Sequence, residues 1–434
     1  MKRALYSDLV KWKDNSQRKP LLIYGARQVG KTYLVKEFGN NEFQNLLYIN
    51  CDRNIPLENL FKEDYNIPRI IEGLTVLYNT EIEPGRTLIF FDEVQEIPAI
   101  VSSFKYFCEE AKEYCVVAAG SLLGVLDLKG YSFPVGKVDI LHLYPMTYVE
   151  FLWAIGETRK ADLLVSLSDE DLINDILPFY THLLRQYYFT GGMPEAVEEF
   201  VANKNIEKVR TIQNAIIDGY YSDIAKHAGK EAPRCRMVLD SLPAQLAKEN
   251  KKFIYGAIKK GARAKEFEIA IQWLVDAGMV YKVNRLNKVE MPLKFYIDLD
   301  AFKLFLLDIG LLGALLDTPP SKIMIGDGIF SEYKGAFTEN YLLTQLVPRK
   351  DIVIGYFSKS NSTLEIDFVV QEAGRILPIE VKAEENVRSK SLSQFINSEE
   401  EGKGLKGFRF SMKGFKDQDW MKNIPLIGIP YLFK

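Results

Sequence analysis

Histidine and cysteine are scarce, three and four among 434 residues. Cys51, Cys108, Cys115 and Cys235 show no C-x-x-C spacing, so a structural zinc site is not encoded and the thiols are expected to be reduced. No apolar run approaches the ~20 residues of a membrane-spanning helix. The N-terminal stretch MKRALYSDLVKWKD is charged and has no apolar h-region. A soluble, cytoplasmic chain without membrane partners is the expectation. Large net charge is missing too: the formal value is −3, so contact with nucleic acid requires a local basic patch. Neither low-complexity segments nor internal repeats occur. What remains is an ordinary globular composition, 47% hydrophobic and 26% charged, long enough for about three domains.

Against this background one stretch is distinctive: Leu21 to Phe38, LLIYGARQVGKTYLVKEF. A short apolar run, Leu21 to Tyr24, predicts a buried strand, and an apolar-periodic helix follows GARQVGKT. The octet fits G-x-x-x-x-G-K-[ST] in its proper strand-to-helix setting. Gly25 and Gly30 let the backbone curl, so that successive N–H groups face phosphate oxygens. The cradle is Gly25, Ala26, Arg27, Gln28, Val29, Gly30, Lys31, Thr32 and Tyr33. Lys31 supplies a point charge to the β- and γ-phosphates, and the Thr32 hydroxyl can ligate Mg²⁺. ATP with Mg²⁺ is the expected ligand.

The rest of the N-terminal half supplies a matching frame. An amphipathic helix is predicted over residues 2–13 and a strand over Leu46 to Asn50; residues 53–82 read as helical, broken at Pro56 and Pro68. Thr87 to Asp92, TLIFFD, is a fully apolar run ending in Asp92 and Glu93. A buried parallel strand would deliver Asp92 to the Mg²⁺ shell at its carboxyl end, with Glu93 placed to orient or deprotonate water. Cys115 to Ala119 forms another strand; Ser121 beyond it is either a γ-phosphate contact or a turn residue. A further strand spans Val138 to Leu143. The alternation predicts α/β: a P-loop three-layer parallel sheet. After a turn at Pro145 and a cap at Thr147 the chain reads as helical to about Gly229, punctuated by TGGMPEAV.

From about Glu231 a helical stretch, Arg236 to Lys248, leads into helix, turn, helix, then short strands around Tyr281–Val283 and Lys294–Ile297. That is a winged helix-turn-helix. Lys251, Lys252, Lys259, Lys260, Arg263 and Lys265 crowd its turn, as either a solvated face or a DNA contact. Pro319–Pro320, with Gly326 and Gly328, reads as a linker. A helix over Ser331 to Leu346 and strands at Ile352–Phe357, Leu364–Val370 and Ile376–Lys382 end the prediction. The last two strands make a hairpin turning at Glu372–Gly374. Period-two alternation puts Glu365 and Asp367 on one face, and Glu380 and Lys382 on one face of the partner strand. Such a face either meets water or holds Mg²⁺ with Lys382 against a phosphodiester, Glu339 joining from the helix.

GARQVGKT, FFDEVQEIP, AAGSLLG, LYPMTYVEFL, TGGMPEAV, YYSDIAKH and KFYIDLDAFKLFLLDIGLL together resemble a prokaryotic family of AAA+-type ATP-binding proteins of the origin-recognition and STAND-like branch. The resemblance covers nearly the whole chain. It implies an ATPase core at 1–155, a helical lid at 156–230, a winged helix-turn-helix at 231–320 and, at 321–434, an α+β domain similar to PD-(D/E)xK nucleases (restriction-endonuclease-like). It also implies roles. Lys31 and Thr32 match the phosphate and Mg²⁺ contacts, Asp92 and Glu93 the metal and water positions, Ser121 the polar sensor, and Gly192–Pro194 the lid element on adenine. Asp367, Glu380 and Lys382 match the nuclease-like core, with Glu339 as its helix acid. One departure stands out: Gly136–Lys137 occupies a position where such proteins commonly carry Gly-Arg, and lysine replaces a bidentate fork by a point charge. The functional expectation is an ATP-binding protein and slow ATPase whose nucleotide state repositions C-terminal domains that bind or cleave nucleic acid, with DNA and a second copy of the chain (a homo-oligomer) as the candidate partners. The alternative is a nucleotide-dependent regulator or scaffold for protein partners. A small-molecule kinase would leave about half the chain without a purpose.

Overall fold

β1 (Leu21–Tyr24) is buried at all four positions, and its surroundings explain why it must be. The computed structural model describes residues 1–121, 132–166, 169–248, 252–325, 331–359, 362–383 and 389–433. Two compact units divide the chain: Met1–Tyr144 with Asp276–Gly278, and Pro145–Val275 with Met279–Lys434.

In the first unit β1 joins β2 (Asn45–Asn50), β3 (Thr87–Asp92), β4 (Cys115–Gly120) and β5 (Asp139–His142) in the order β2-β3-β4-β1-β5, every pairing parallel. Parallel strands need crossover helices on both faces, so central strands are apolar throughout rather than alternating. Leu22, Tyr24, Ile49, Phe91 and Ala118 cluster on one face with Leu57, Phe61, Ile70 and Phe104. Those partners come from helices Ile55–Lys62, Ile67–Tyr78 and Pro98–Glu110. Helix Lys31–Glu42 packs on strands β2, β3 and β4. The expected three-layer parallel sheet is therefore present. Pro56 and Pro68 do not break helices, as predicted, but open them. Each lies in a first turn, where its missing N–H costs no internal bond, and Asn54 and Asn66 cap by accepting from the Leu57 and Arg69 N–H groups.

The second unit begins with helices, the first (Tyr148–Ala154) closed by a reciprocal Thr147–Glu150 capping box. Its sheet holds β6 (Val280–Leu286), β7 (Ile297–Leu306), β8 (Val353–Ser358), β9 (Glu365–Glu372), β10 (Arg375–Val381), β11 (Gly407–Ser411), β12 (Lys416–Asp417) and β13 (Met421–Pro425). The order is β12-β13-β11-β10-β9-β8-β6-β7. Two expectations need correction here. Lys294–Ile297 is not the second short strand: Leu293–Tyr296 is a 3-10 turn, and a ten-residue strand starts at Ile297. Asp298 and Asp300, poor strand formers, hid its continuation. Helix Ala232–Leu246 forms where the helical stretch was expected, but among the described residues between it and helix Ala264–Asp276 only a 3-10 turn, Tyr255–Ala257, takes the place of the first helix of the helix-turn-helix. β6 and β7 pair antiparallel, and β6 also pairs in parallel with β8 through Asn284 to Leu286 and Gly355 to Phe357, which carries the pair into the larger sheet. The β9–β10 hairpin is as read: Glu372 pairs with Arg375, and Ala373 and Gly374 both take positive φ, 45° and 78°. A two-residue loop of that kind matches the twist of the strands it joins. Lys251, Leu122–Gly124 of the AAGSLLG motif, Gly326 and Gly328 lie outside the described residues.

Candidate functional site

Directly after β1 the backbone turns over Leu143: a Cβ on Gly25 would lie 2.2 Å from the Leu143 carbonyl oxygen, so only glycine fits. Gln28 and Gly30 take positive φ, 65° and 92°, and Gly30 opens helix Lys31–Glu42 without any side-chain cap. Its first N–H groups are thus left for a ligand. Ala26 and Val29 are buried, whereas Arg27, Gln28 and Tyr33 are exposed. The loop is pinned from behind by Arg3, whose guanidinium donates to Val29 O at 2.8 Å and to Tyr144 O at 2.6 Å. Lys31 folds back and donates to Gly25 O and Ala26 O, both at 2.9 Å. Burial lowers its pKa to about 8, against the opposing charges of Glu93 and Asp92.

Strand order brings the second half of the site alongside. At the carboxyl end of β3, Asp92 Oδ2 accepts from Thr32 Oγ1 at 2.8 Å and from the Tyr48 hydroxyl at 3.2 Å. Burial raises the Asp92 pKa, with the Thr32 bond pulling the other way. Glu93 follows in the left-handed region (φ 53°, ψ 43°), a conformation uncommon for a residue with a side chain and one that turns it out of the strand. Gln95 then bridges two sequence-predicted residues: its Nε2 donates to Glu93 Oε2 at 2.5 Å, and its Oε1 accepts the Ser121 N–H at 3.3 Å. Lys31, Thr32, Asp92, Glu93 and Ser121 are thus joined through direct contacts, one intervening glutamine and shared fields. Arg3, Tyr48 and Gln95 were not singled out in the sequence. Only Gln95, inside FFDEVQEIP, carried a signal there.

Pro194 opens helix Pro194–Asn203 in the second unit. The preceding turn is held by Asp308, whose Oδ2 accepts the Gly192 N–H at 2.6 Å. Lys137 pairs with Glu109 at 2.8 Å.

In the second unit the hairpin acids do meet cations, but as ion pairs. Lys382 Nζ lies 2.9 Å from Glu380 Oε1, and the Val381 N–H donates to Asp367 Oδ2 at 2.7 Å. Lys303 on β7 is fully buried; its Nζ lies 2.6 Å from Glu365 Oε1 and 3.8 Å from Glu339 Oε2. The shared metal shell expected of Glu339, Asp367 and Glu380 is not what the chain assembles. Among the described residues no group of three or more acidic, histidine or cysteine side chains is arranged to hold a metal ion. One oxygen each of Glu380, Glu365 and Asp367 is engaged by Lys382, Lys303 and the Val381 N–H.

Family models match three consecutive stretches. Residues 17–152 match an AAA domain. Residues 181–322 match a domain of unknown function, DUF8612, and residues 334–432 another, DUF4143. No curated protein matches the chain. Similar solved structures include the Walker-type ATPase PABY2304 of Pyrococcus abyssi (16% identical, TM-score 0.43, covering 72% of this chain and 94% of that one). The Aeropyrum pernix ORC1 protein in complex with DNA is 14% identical with TM-score 0.29, over 73% of this chain and 91% of that one. AMPPCP-bound DnaA from Aquifex aeolicus is 16% identical with TM-score 0.29, over 63% and 88%. Among the described residues no helix is long and apolar enough to cross a membrane.

Proposed function

We propose that the chain is an ATP-binding protein and slow ATPase whose nucleotide state repositions the segments after the AAA domain. One observation carries the reading: the Thr32 hydroxyl and Asp92 carboxylate meet at 2.8 Å beside a phosphate loop that holds a buried lysine. That oxygen pair suits a hard cation, and a buried carboxylate with a raised pKa gains from one. Thr32 and Asp92 would hold Mg²⁺, which when bound neutralises the phosphate charge. The backbone from Gly25 to Tyr33 and the Lys31 ammonium bind the phosphates. Glu93, aimed by Gln95, orients or deprotonates water. Ser121 senses the γ-phosphate. Lys137, paired with Glu109, gives a neighbouring copy a point charge rather than a fork, so oligomer-stimulated turnover is expected to be weak.

Mutagenesis separates binding from chemistry. Lys31→Ala should abolish ATP binding, because the phosphates lose their buried counter-charge. Glu93→Gln should keep binding while turnover falls about 100-fold, as for loss of a general base. Equilibrium binding of a fluorescent ATP analogue and phosphate release read the two steps. Unchanged affinity in Lys31→Ala would sink the proposal. The downstream target is proposed to be DNA, contacted through the basic turn before helix Ala264–Asp276. The second reading, a regulator of protein partners with an inactive nuclease-like fold, is favoured by the ion pairs that claim the hairpin acids.

A further inference from the structure

The acids of the second unit look from their sequence spacing like a divalent-cation site, and their surroundings say otherwise. The β9–β10 ladder runs from Glu372–Arg375 to Val369–Pro378 and Phe368–Ile379. Beyond it the Val381 N–H donates to the Asp367 carboxylate, at 2.7 Å, while the other edge of β10 pairs with β11, Glu380 opposite Arg409. This arrangement puts Asp367 and Glu380 at neighbouring positions, while helix Ser331–Leu346 brings Glu339 and β9 brings Glu365. Four carboxylates this close repel unless cations or protons intervene.

The cations are already present, covalently attached. Lys303 is completely buried, 2.6 Å from Glu365 and 3.8 Å from Glu339. Burial opposes its charge, yet the fields of Glu339, Glu365 and Asp367 prevail and hold its pKa above the usual lysine value. Lys382 serves Glu380 at 2.9 Å and feels Asp367 and Glu339. The Arg409 guanidinium feels Glu380, while it donates to Asn423 Oδ1 at 2.8 Å and Ser389 Oγ at 3.3 Å. Glu380 Oε2 accepts no hydrogen bond. Among the described residues no three acidic side chains are arranged to hold a metal ion.

We infer that Lys303 is the resident cation of this cluster: its ammonium takes the place of a divalent metal and ties β7 to the Ser331–Leu346 helix and β9. The cluster is then an internal ion network that cannot activate water on a phosphodiester. It joins the edge strand expected of a wing to the C-terminal hairpin. The inference concerns the second unit alone and holds whether or not the P-loop hydrolyses ATP.

The test uses the full chain without nucleotide, titrated with Mn²⁺ and followed by calorimetry and electron paramagnetic resonance. Wild type and Glu365→Gln should give the same isotherm, any binding at the P-loop being common to both. Lys303→Met should gain one Mn²⁺ site, and Lys303→Met/Glu365→Gln should lose it. A wild-type Mn²⁺ site that Glu365→Gln or Glu380→Gln removes would overturn the inference. So would a well-folded Lys303→Met that gains nothing, or Mn²⁺-dependent DNA cleavage abolished by Asp367→Asn. Should Lys303→Met fail to fold, the wild-type comparison with Glu365→Gln and Glu380→Gln still decides.

Discussion

Lys31 directs part of its charge to its own loop. With Nζ bonded to two backbone carbonyls and its pKa lowered to about 8 by burial, it is protonated at pH 7 and mostly neutral at pH 9. Phosphate recognition needs the ammonium, so nucleotide binding above pH 8 must take up a proton. ATP affinity should be flat below about pH 7 and weaken roughly tenfold per pH unit above 8. Calorimetry in buffers of different ionisation enthalpy would show the proton uptake directly; a pH-independent affinity from 7 to 9.5 contradicts the assignment. Gln95 gives a second expectation at this scale. Its bridge fixes Glu93, so Gln95→Ala should lower kcat at least about tenfold with KM unchanged, as for a misplaced water-orienting group. A shift in KM alone would mean that Gln95 serves binding. Lys31, Thr32, Asp92 and Glu93 were legible because their chemistry is tied to fixed spacing after a strand. Tyr48 and Arg3 were not: Tyr48 arrives because β2 pairs with β3, and Arg3 reaches back from the stretch before the first helix.

Elements in the second unit are held by a single carboxylate. Asp308 caps helix Ile309–Leu315, accepting from Leu311 N at 3.0 Å, and also holds the Gly192 N–H. Burial raises its pKa to about 6, although four backbone N–H groups pull it down. The folded chain therefore binds more protons than the unfolded one between about pH 4 and 6, and stability falls as pH rises through that window. A rise from 3.8 to about 6 corresponds to a penalty on the order of 3 kcal/mol, complete above pH 6. The thermal midpoint of wild type relative to Asp308→Asn should accordingly drop between pH 4.5 and 7; a constant difference would remove the effect. The Ser331–Leu346 helix, expected to be amphipathic, is buried at every position from Ala336 to Leu346, whereas the β9–β10 hairpin was readable from its turn chemistry. The Leu293–Tyr296 turn and β11 to β13 were not, because nonlocal pairing decides them and their sequences carry no clean alternation.

At the scale of the molecule, net charge near zero removes any general attraction to nucleic acid, and a proposed DNA contact must be built locally. Lys259, Lys260, Arg263 and Lys265 meet that requirement. All four are exposed, and they fall on the turn leading into helix Ala264–Asp276 and on its first residues. Lysine and arginine there have no helix-dipole reason, since cations are disfavoured at a helix N-terminus. Phosphates would relieve both problems, pairing with the side chains and with the helix end. Reversing the four to glutamate should weaken duplex binding at every sequence alike, because phosphate contacts carry register rather than base identity. If each contacts one phosphate, the slope of log K against log salt should become shallower by about 3 to 4, near 0.9 per released contact. Fluorescence anisotropy with a short duplex from 50 to 300 mM salt measures both quantities. A wild-type chain with no salt-sensitive affinity makes the basic turn a solvated face. The acids held by Lys303 and Lys382 would then belong to a chain that acts on protein partners, with ATP as its timer.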